Sequence, residues 1–275
     1  MFGKKKASDT ILIGNAHHIG ARDSQQDSFA ISDMANYELR ETKGVFGVVA
    51  DGIGGMSDGG KASTIATQTM LQYFNEATPT HRTEIDLLNM LYAANQNVVS
   101  VLDTAGAGGS TVVAVVIYGG KLYWAAVGDS RIYLIRNGGI VQINREHTNA
   151  SELDEKAVKG EITHEAAASD PMRNALTAFL GMGELAAIDR SVRPVKLLAG
   201  DRIVLMTDGV FGVLDDNEIL SAMNPKTKPH KSTALLQKMI LTKNNPAQDN
   251  FTAIVFEYIG SRAREGVNKN EAIFN

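Results

Sequence analysis

The run Val45-Phe46-Gly47-Val48-Val49-Ala50 contains no polar side chain and stops on Asp51-Gly52-Ile53-Gly54-Gly55. An apolar stretch without alternation reads as a strand buried on both faces, so the fold must supply a packed layer on each side of it. The acid then sits where the strand leaves the core. Glycines there let the backbone turn sharply and bring a carbonyl oxygen close to whatever the carboxylate holds. A lone Asp-Gly is equally an ordinary turn dipeptide. The pattern returns, however, in Ile203-Val204-Leu205-Met206-Thr207 followed by Asp208-Gly209, and two such strand ends can face each other.

The other elements follow from periodicity. Short strands are expected at residues 11–14 and 28–31, the second preceded by the polar loop that holds Arg22 and Asp27. Ala62, Ile65, Ala66, Met70, Tyr73 and Phe74 recur at helical spacing, as do Ile85, Leu88, Leu91, Tyr92, Val98, Val99 and Leu102. Thr83-Glu84-Ile85-Asp86 has the form of a capping box for the second helix, whose stripe Asn95 interrupts. Residues 110–117, 122–127 and 131–135 read as an antiparallel meander, with Asp129 at the tip of its Gly128-Asp129-Ser130 turn. Residues 145–173 lack an apolar face and predict a helical or mobile surface insertion. Strands are expected again at 188–197, 203–207 and 251–258, helices at 215–223 and 232–243, and a polar tail at the end. Grouped helices and runs of strands, without strict alternation, indicate an α+β class with mainly antiparallel sheets and helices packed outside them. No repeat or linker divides the chain, so one domain over residues 1–260 and a tail over 261–275 are expected.

Composition narrows the partners. A net charge of -4 without a basic stripe disfavours nucleic acid, and no apolar run is long enough to cross a membrane. The lysines near Met1 are followed by too short an apolar segment for an export signal. Cysteine is absent, which excludes disulfides, thiolate metal sites and a cysteine nucleophile. A cytoplasmic monomer is the expectation.

Asp27, Asp51, Asp129, Asp208 and Asp249 all stand at strand ends, strand starts or a turn, where antiparallel pairing can gather them on one rim. Carboxylates at close range raise one another's pKa or require a cation. Oxygen donors alone, from aspartates and the Gly52 carbonyl, suit hard divalent ions such as Mg²⁺ or Mn²⁺. No EF-hand spacing is present, so a cage shared among distant segments is expected.

Arg22 followed by Gln26-Asp27, then Asp51-Gly52-Ile53-Gly54-Gly55, Gly109-Ser110-Thr111, Val127-Gly128-Asp129-Ser130-Arg131, Thr207-Asp208-Gly209 and Asp249-Asn250 resemble, in order, the motifs of the metal-dependent type 2C protein phosphatases, in particular a minimal bacterial member. The resemblance spans roughly residues 11–259, and the ordered set is far more specific than any one motif. It implies a four-layer α/β/β/α sandwich of two mainly antiparallel sheets flanked by helices, with two core metal ions and a third, weaker one. It also implies that Asp51 bridges the two core ions, that the Gly52 carbonyl completes one, and that Asp208 and Asp249 hold the other. Asp129 with Asp208 would bind the third ion, Asp27 would orient metal-bound water, Asn250 would support Asp249, and Arg22 would grip the substrate phosphate. The implied reaction is hydrolysis of phosphoserine and phosphothreonine in proteins by a metal-bridging hydroxide, opposing a Ser/Thr kinase.

Three positions depart from the family pattern. Gln26 stands where a Glu is frequent, so one ion would be held more weakly or through water. Ile53 replaces a frequent His, which leaves leaving-group protonation to metal-bound water. The insertion at 145–173 matches the family's flap in position, and its sequence discriminates little. His17, His18, His147 and His164 read as surface or strand-edge residues rather than ligands, and Arg131 as a brace for the Asp129 turn. Two rival readings are a catalytically silent phosphoprotein-binding module and a hydrolase of another phosphoester such as a nucleotide.

Overall fold

The computed structural model describes residues 8–53, 58–80, 82–102 and 108–262. The glycine pair Gly54-Gly55, Ser57 and the expected tail beyond residue 262 lie outside them.

One sheet orders β1 (Ser8–His18), β11 (Phe251–Arg262), β10 (Arg202–Met206), β6 (Arg131–Arg136) and β7 (Gly139–Gln142). The other orders β2 (Asp27–Ile31), β3 (Val45–Asp51), β4 (Val112–Tyr118), β5 (Lys121–Val127) and β8 (Asp189–Arg190), with β9 (Val195–Lys196) also on β5. The strand pairings in both sheets are antiparallel. The sheets stack face to face. Helices α2 (Gly59–Glu76) and α3 (Thr83–Val101) cover the second sheet. Helices α6 (Asp208–Phe211), α7 (Asp216–Ala222) and α8 (Pro229–Thr242) cover the first. This is the expected four-layer arrangement.

The unalternating runs now have their explanation. In β3, Phe46, Val48 and Ala50 pack toward α2 and α3, while Val45 and Val49 face the other sheet. In β10, Ile203 and Leu205 face the second sheet and Val204 and Met206 the α6–α8 side. Each strand buries both faces. Gly47 interrupts β3 because the Phe256 ring of β11 lies where its Cβ would be. The missing side chain lets the two sheets approach there.

Several expectations are corrected. The meander breaks at Gly128-Asp129-Ser130: β5 belongs to one sheet and β6 to the other, so Asp129 lies on a crossing between sheets rather than on a hairpin tip. The proposed capping box at Thr83 does not form. Arg82 occupies the N-cap without a side-chain bond, and Asp86 accepts instead from the Thr80 N–H at 3.1 Å. A true capping box joins Asp215 and Glu218 at the start of α7. Residues 188–197 supply only the two-residue strands β8 and β9. The outer strands run longer than expected: β1 extends from Ser8 to His18, and β11 continues to Arg262, two residues into the expected tail. Helix α1 (Tyr37–Thr42), β7 and α6 were not anticipated. The insertion folds as α4 (Ala150–Val158) and α5 (His164–Ser169), closed on itself by a two-pronged Arg173–Asp154 pair at 2.8 and 2.9 Å. No described helix is long and apolar enough to cross a membrane.

Candidate metal centre

Antiparallel register builds one rim of the sandwich. Asp27, the first residue of β2, is the cross-strand partner of Asp51, the last of β3. The Asp51 backbone is fastened from β4: its carbonyl accepts from Thr111 N–H at 2.8 Å and Ser110 Oγ at 2.9 Å, and its N–H donates to Thr111 Oγ1 at 3.1 Å. Thr111 Oγ1 also meets Ser130 Oγ at 2.7 Å, which ties the sheet crossing that carries Asp129 to the same point. The Gly109-Ser110-Thr111 motif thus clamps a carboxylate-bearing strand end. Gly52 N–H donates to the Gln26 carbonyl at 3.0 Å, and a Cβ on Gly52 would collide with the Gly59 and Gln26 carbonyls. Only glycine allows β3 to leave the sheet here.

The other sheet delivers Asp208 and Asp249. Thr207 occupies the N-cap position of α6 without a side-chain cap bond, and Asp208 is the first residue of that helix. Asp249 stands two residues before β11; its Oδ1 accepts from Asn250 N–H at 2.8 Å, and its Oδ2 takes Arg22 Nη2 at 2.5 Å. The Asn250 side chain does not support Asp249. It staples the Arg22 loop, accepting from Gln26 N–H at 2.7 Å and donating to the Ile19 and Ser24 carbonyls at 2.7 and 3.0 Å.

Arg22, Gln26, Asp51, Gly52, Asp129, Asp208 and Asp249 line one cleft of ≈ 580 Å³. Asp27 lies behind its wall, 5% exposed, with Oδ2 accepting from Thr252 Oγ1 at 2.7 Å and Thr207 Oγ1 at 2.9 Å. Sequence reasoning missed Asn174, Leu176 and Phe179, which follow the insertion and line the same cleft, as does Ile53. They belong to no motif and have no periodic signal. None of the described histidines lines the cleft.

The acids are costly where they stand. Burial pushes Asp27 up to about 7, aided by the charges of Asp208 and Asp249 and opposed by the two threonine hydroxyls. Asp129 also rises to about 7, through burial and then Asp208 and Glu146. Asp51 is held well above the usual carboxylate range by burial, then by the charges of Asp27, Asp208 and Asp129. Asp208 is raised by burial and by Asp249. Near neutral pH such a cluster either keeps protons or takes up cations.

The residues fit hard divalent ions. The donors are oxygens only, and Asp27 Oδ1 is buried without a hydrogen-bond partner beside three further acids. As they stand, no three His, Cys, Asp or Glu groups among the described residues grip a single point. Asp249 is engaged by Arg22 at 2.5 Å.

A family model described as Protein phosphatase 2C matches residues 14–252. The chain belongs to the protein phosphatase 2C family. Serine/threonine phosphatase stp of Listeria welshimeri is 29% identical to it over 219 residues, covering 76% of this chain and 83% of that one. The crystal structure of the Mycobacterium tuberculosis serine/threonine phosphatase PstP/Ppp superposes with a TM-score of 0.73 at 26% identity, over 90% of this chain and 98% of that one. A structure of the catalytic domain of serine threonine protein phosphatase PstP in complex with two manganese ions superposes with a TM-score of 0.70 at 25% identity, over 91% and 100% of the two chains. As a protein phosphatase 2C member, the chain is a metal-dependent hydrolase by family, and the acid rim is where its own residues offer a metal a home.

Proposed function

We propose that this chain hydrolyses phosphoserine and phosphothreonine esters in proteins with the help of Mn²⁺ or Mg²⁺, opposing a Ser/Thr kinase. The observation that carries the reading is the convergence of four raised-pKa aspartates and one arginine on a single rim in a protein phosphatase 2C chain. In this reading Asp51, the Gly52 carbonyl, Asp208 and Asp249 would hold two ions, and Asp129 with Asp208 would hold a weaker third. Residues 1–260 act as one catalytic unit with the 145–173 insertion as its flap.

Ions held there would make water acidic enough to serve as nucleophile at neutral pH and would screen the phosphoryl oxygens. The protein's own part is positioning. Arg22, its side chain half exposed and bonded to Asp249 through Nη2, is a cation on the cleft, and a guanidinium can grip phosphate oxygens in a forked pair. Asp27 stays an acceptor behind Asp51 because two threonines donate to it. Ile53 has no proton to give, so no side chain at that position serves as general acid. Ile53, Leu176 and Phe179 give the cleft an apolar part beside its acids.

The test is phosphate release from phosphothreonine, phosphoserine and phosphotyrosine peptides and from a nucleoside triphosphate, with and without Mn²⁺. Manganese-dependent turnover of the first two, lost in Asp208→Asn, is expected. Turnover confined to the nucleotide, or none by a folded chain, overturns the reading.

A further inference from the structure

His17 belongs to no metal or substrate position, yet it begins a hydrogen-bond chain that ends at the rim. It sits directly across from Thr252 in the β1–β11 register. Its Nδ1 is 2.9 Å from Thr252 Oγ1, which is 2.7 Å from Asp27 Oδ2. Thr207 Oγ1 donates to the same Oδ2 at 2.9 Å and accepts from Thr252 N–H at 3.0 Å. Asp27 in turn stands opposite Asp51.

Counting protons fixes the direction of this chain. Thr207 Oγ1 and Thr252 Oγ1 both donate to Asp27 Oδ2, so each hydroxyl spends its single proton there. Thr252 Oγ1 can then only accept from His17, and Nδ1 must carry the hydrogen. The ring is held for that purpose: it packs against Phe29 with centroids 5.3 Å apart. Burial and the neighbouring His18 lower its pKa, which favours the neutral ring. The result is that Oδ2 is pinned from two sides, and Oδ1 is the one Asp27 oxygen without a donor, buried beside Asp51, Asp208 and Asp249.

We propose that His17 is a positioning residue which, by donating from Nδ1 to Thr252, holds Asp27 so that Oδ1 alone stays open to the metal centre. The role is defined by the phosphatase reading above, but the hydrogen-bond direction is not. Outer partners of this kind are typically worth about 10–100-fold in metal affinity or activity.

Two measurements test it. Nitrogen-15 NMR of the histidine-labelled, metal-free chain should show His17 as the Nδ1–H tautomer; the Nε2–H tautomer overturns the proposal whatever the enzyme does. Next come Mn²⁺ calorimetry and phosphothreonine-peptide kinetics on His17→Leu, Thr252→Val, the double variant and His17→Asn, whose amide nitrogen can stand in for Nδ1. His17→Leu and Thr252→Val should each lower kcat about tenfold with little change in KM. The double variant should be no worse than Thr252→Val alone, because His17 acts through Thr252. His17→Asn should restore most of the loss. Wild-type behaviour of His17→Leu, or losses that multiply in the double variant, overturns the proposal. A folded wild type that neither binds Mn²⁺ nor turns over peptide sinks the phosphatase reading instead, and the tautomer still decides the hydrogen-bond chain.

Discussion

Strand β10 has a buried charge at its start and a partly buried one just past its end, and the two are treated in opposite ways. At the start, Arg202 is 1% exposed, and its guanidinium donates to Glu257 Oε2 and Ser232 Oγ, each at 2.9 Å, and to the Thr227 carbonyl. That charge is answered by protein, and it ties β10 and β11 to α8. Past the other end, Asp208 meets Asp51, Asp129 and Asp249, all of its own sign, with the Arg22 cation partly offsetting them. A compensated buried charge is consistent with a structural role. An uncompensated cluster lowers stability and persists where something from outside completes it.

The largest separation should come from removing one partner at each end. Asp208→Asn is expected to cut phosphopeptide turnover by more than about 100-fold, since it removes a ligand rather than an outer partner. Its thermal midpoint without metal should equal or exceed the wild type's, because a repelling charge has gone. Arg202→Met should do the reverse, costing about 3–5 kcal/mol of stability by stranding Glu257, with activity per folded molecule retained. Urea melts beside initial rates read both; a destabilised Asp208→Asn would break the contrast.

Metal should act at one end only. Saturating Mn²⁺, at about 100 times its dissociation constant, is expected to stabilise the wild type by about 2.7 kcal/mol per site. Arg202→Met should gain the same increment and Asp208→Asn much less, as read by melts with and without Mn²⁺.

The pH dependence is smaller. Asp27 and Asp129, raised to about 7, and Asp51 and Asp208, also raised, bind more protons folded than unfolded. Their favourable contribution is complete below the ordinary carboxylate range and is lost as pH rises through about 7. The metal-free chain should therefore melt at a lower temperature at about pH 8 than at about pH 7, and less steeply so in Asp208→Asn. A flat profile would mean the acids are not packed as described. Smallest of all, and remote from both ends, Asp215→Ala should cost about 1 kcal/mol through its lost cap, with no change in rate or metal affinity.

What the sequence made legible follows the same division. β3 and β10 were readable because burial on both faces leaves an unalternating apolar run, and the acids at their ends were readable because glycine follows each. The sheet crossing at residues 128–130 was not readable: a turn within a hairpin and a turn between sheets use the same Gly-Asp-Ser chemistry, and only the distant partner β10 distinguishes them. Thr83 failed as a cap although its spacing is right, because Arg82 takes that backbone position. Thr207 and Thr252 are apart in the chain, and nothing local marks them as donors to Asp27. Leu176 and Phe179 reach the cleft through tertiary packing that no local pattern encodes.

The account depends on the rim acids acting together as a cage. Calorimetric titration of Mn²⁺ into the metal-free wild type and Asp208→Asn tests this most directly. At least two sites in the wild type, with affinity collapsing in the variant, is the predicted result; no binding by a folded wild type, or equal binding by both, would contradict it.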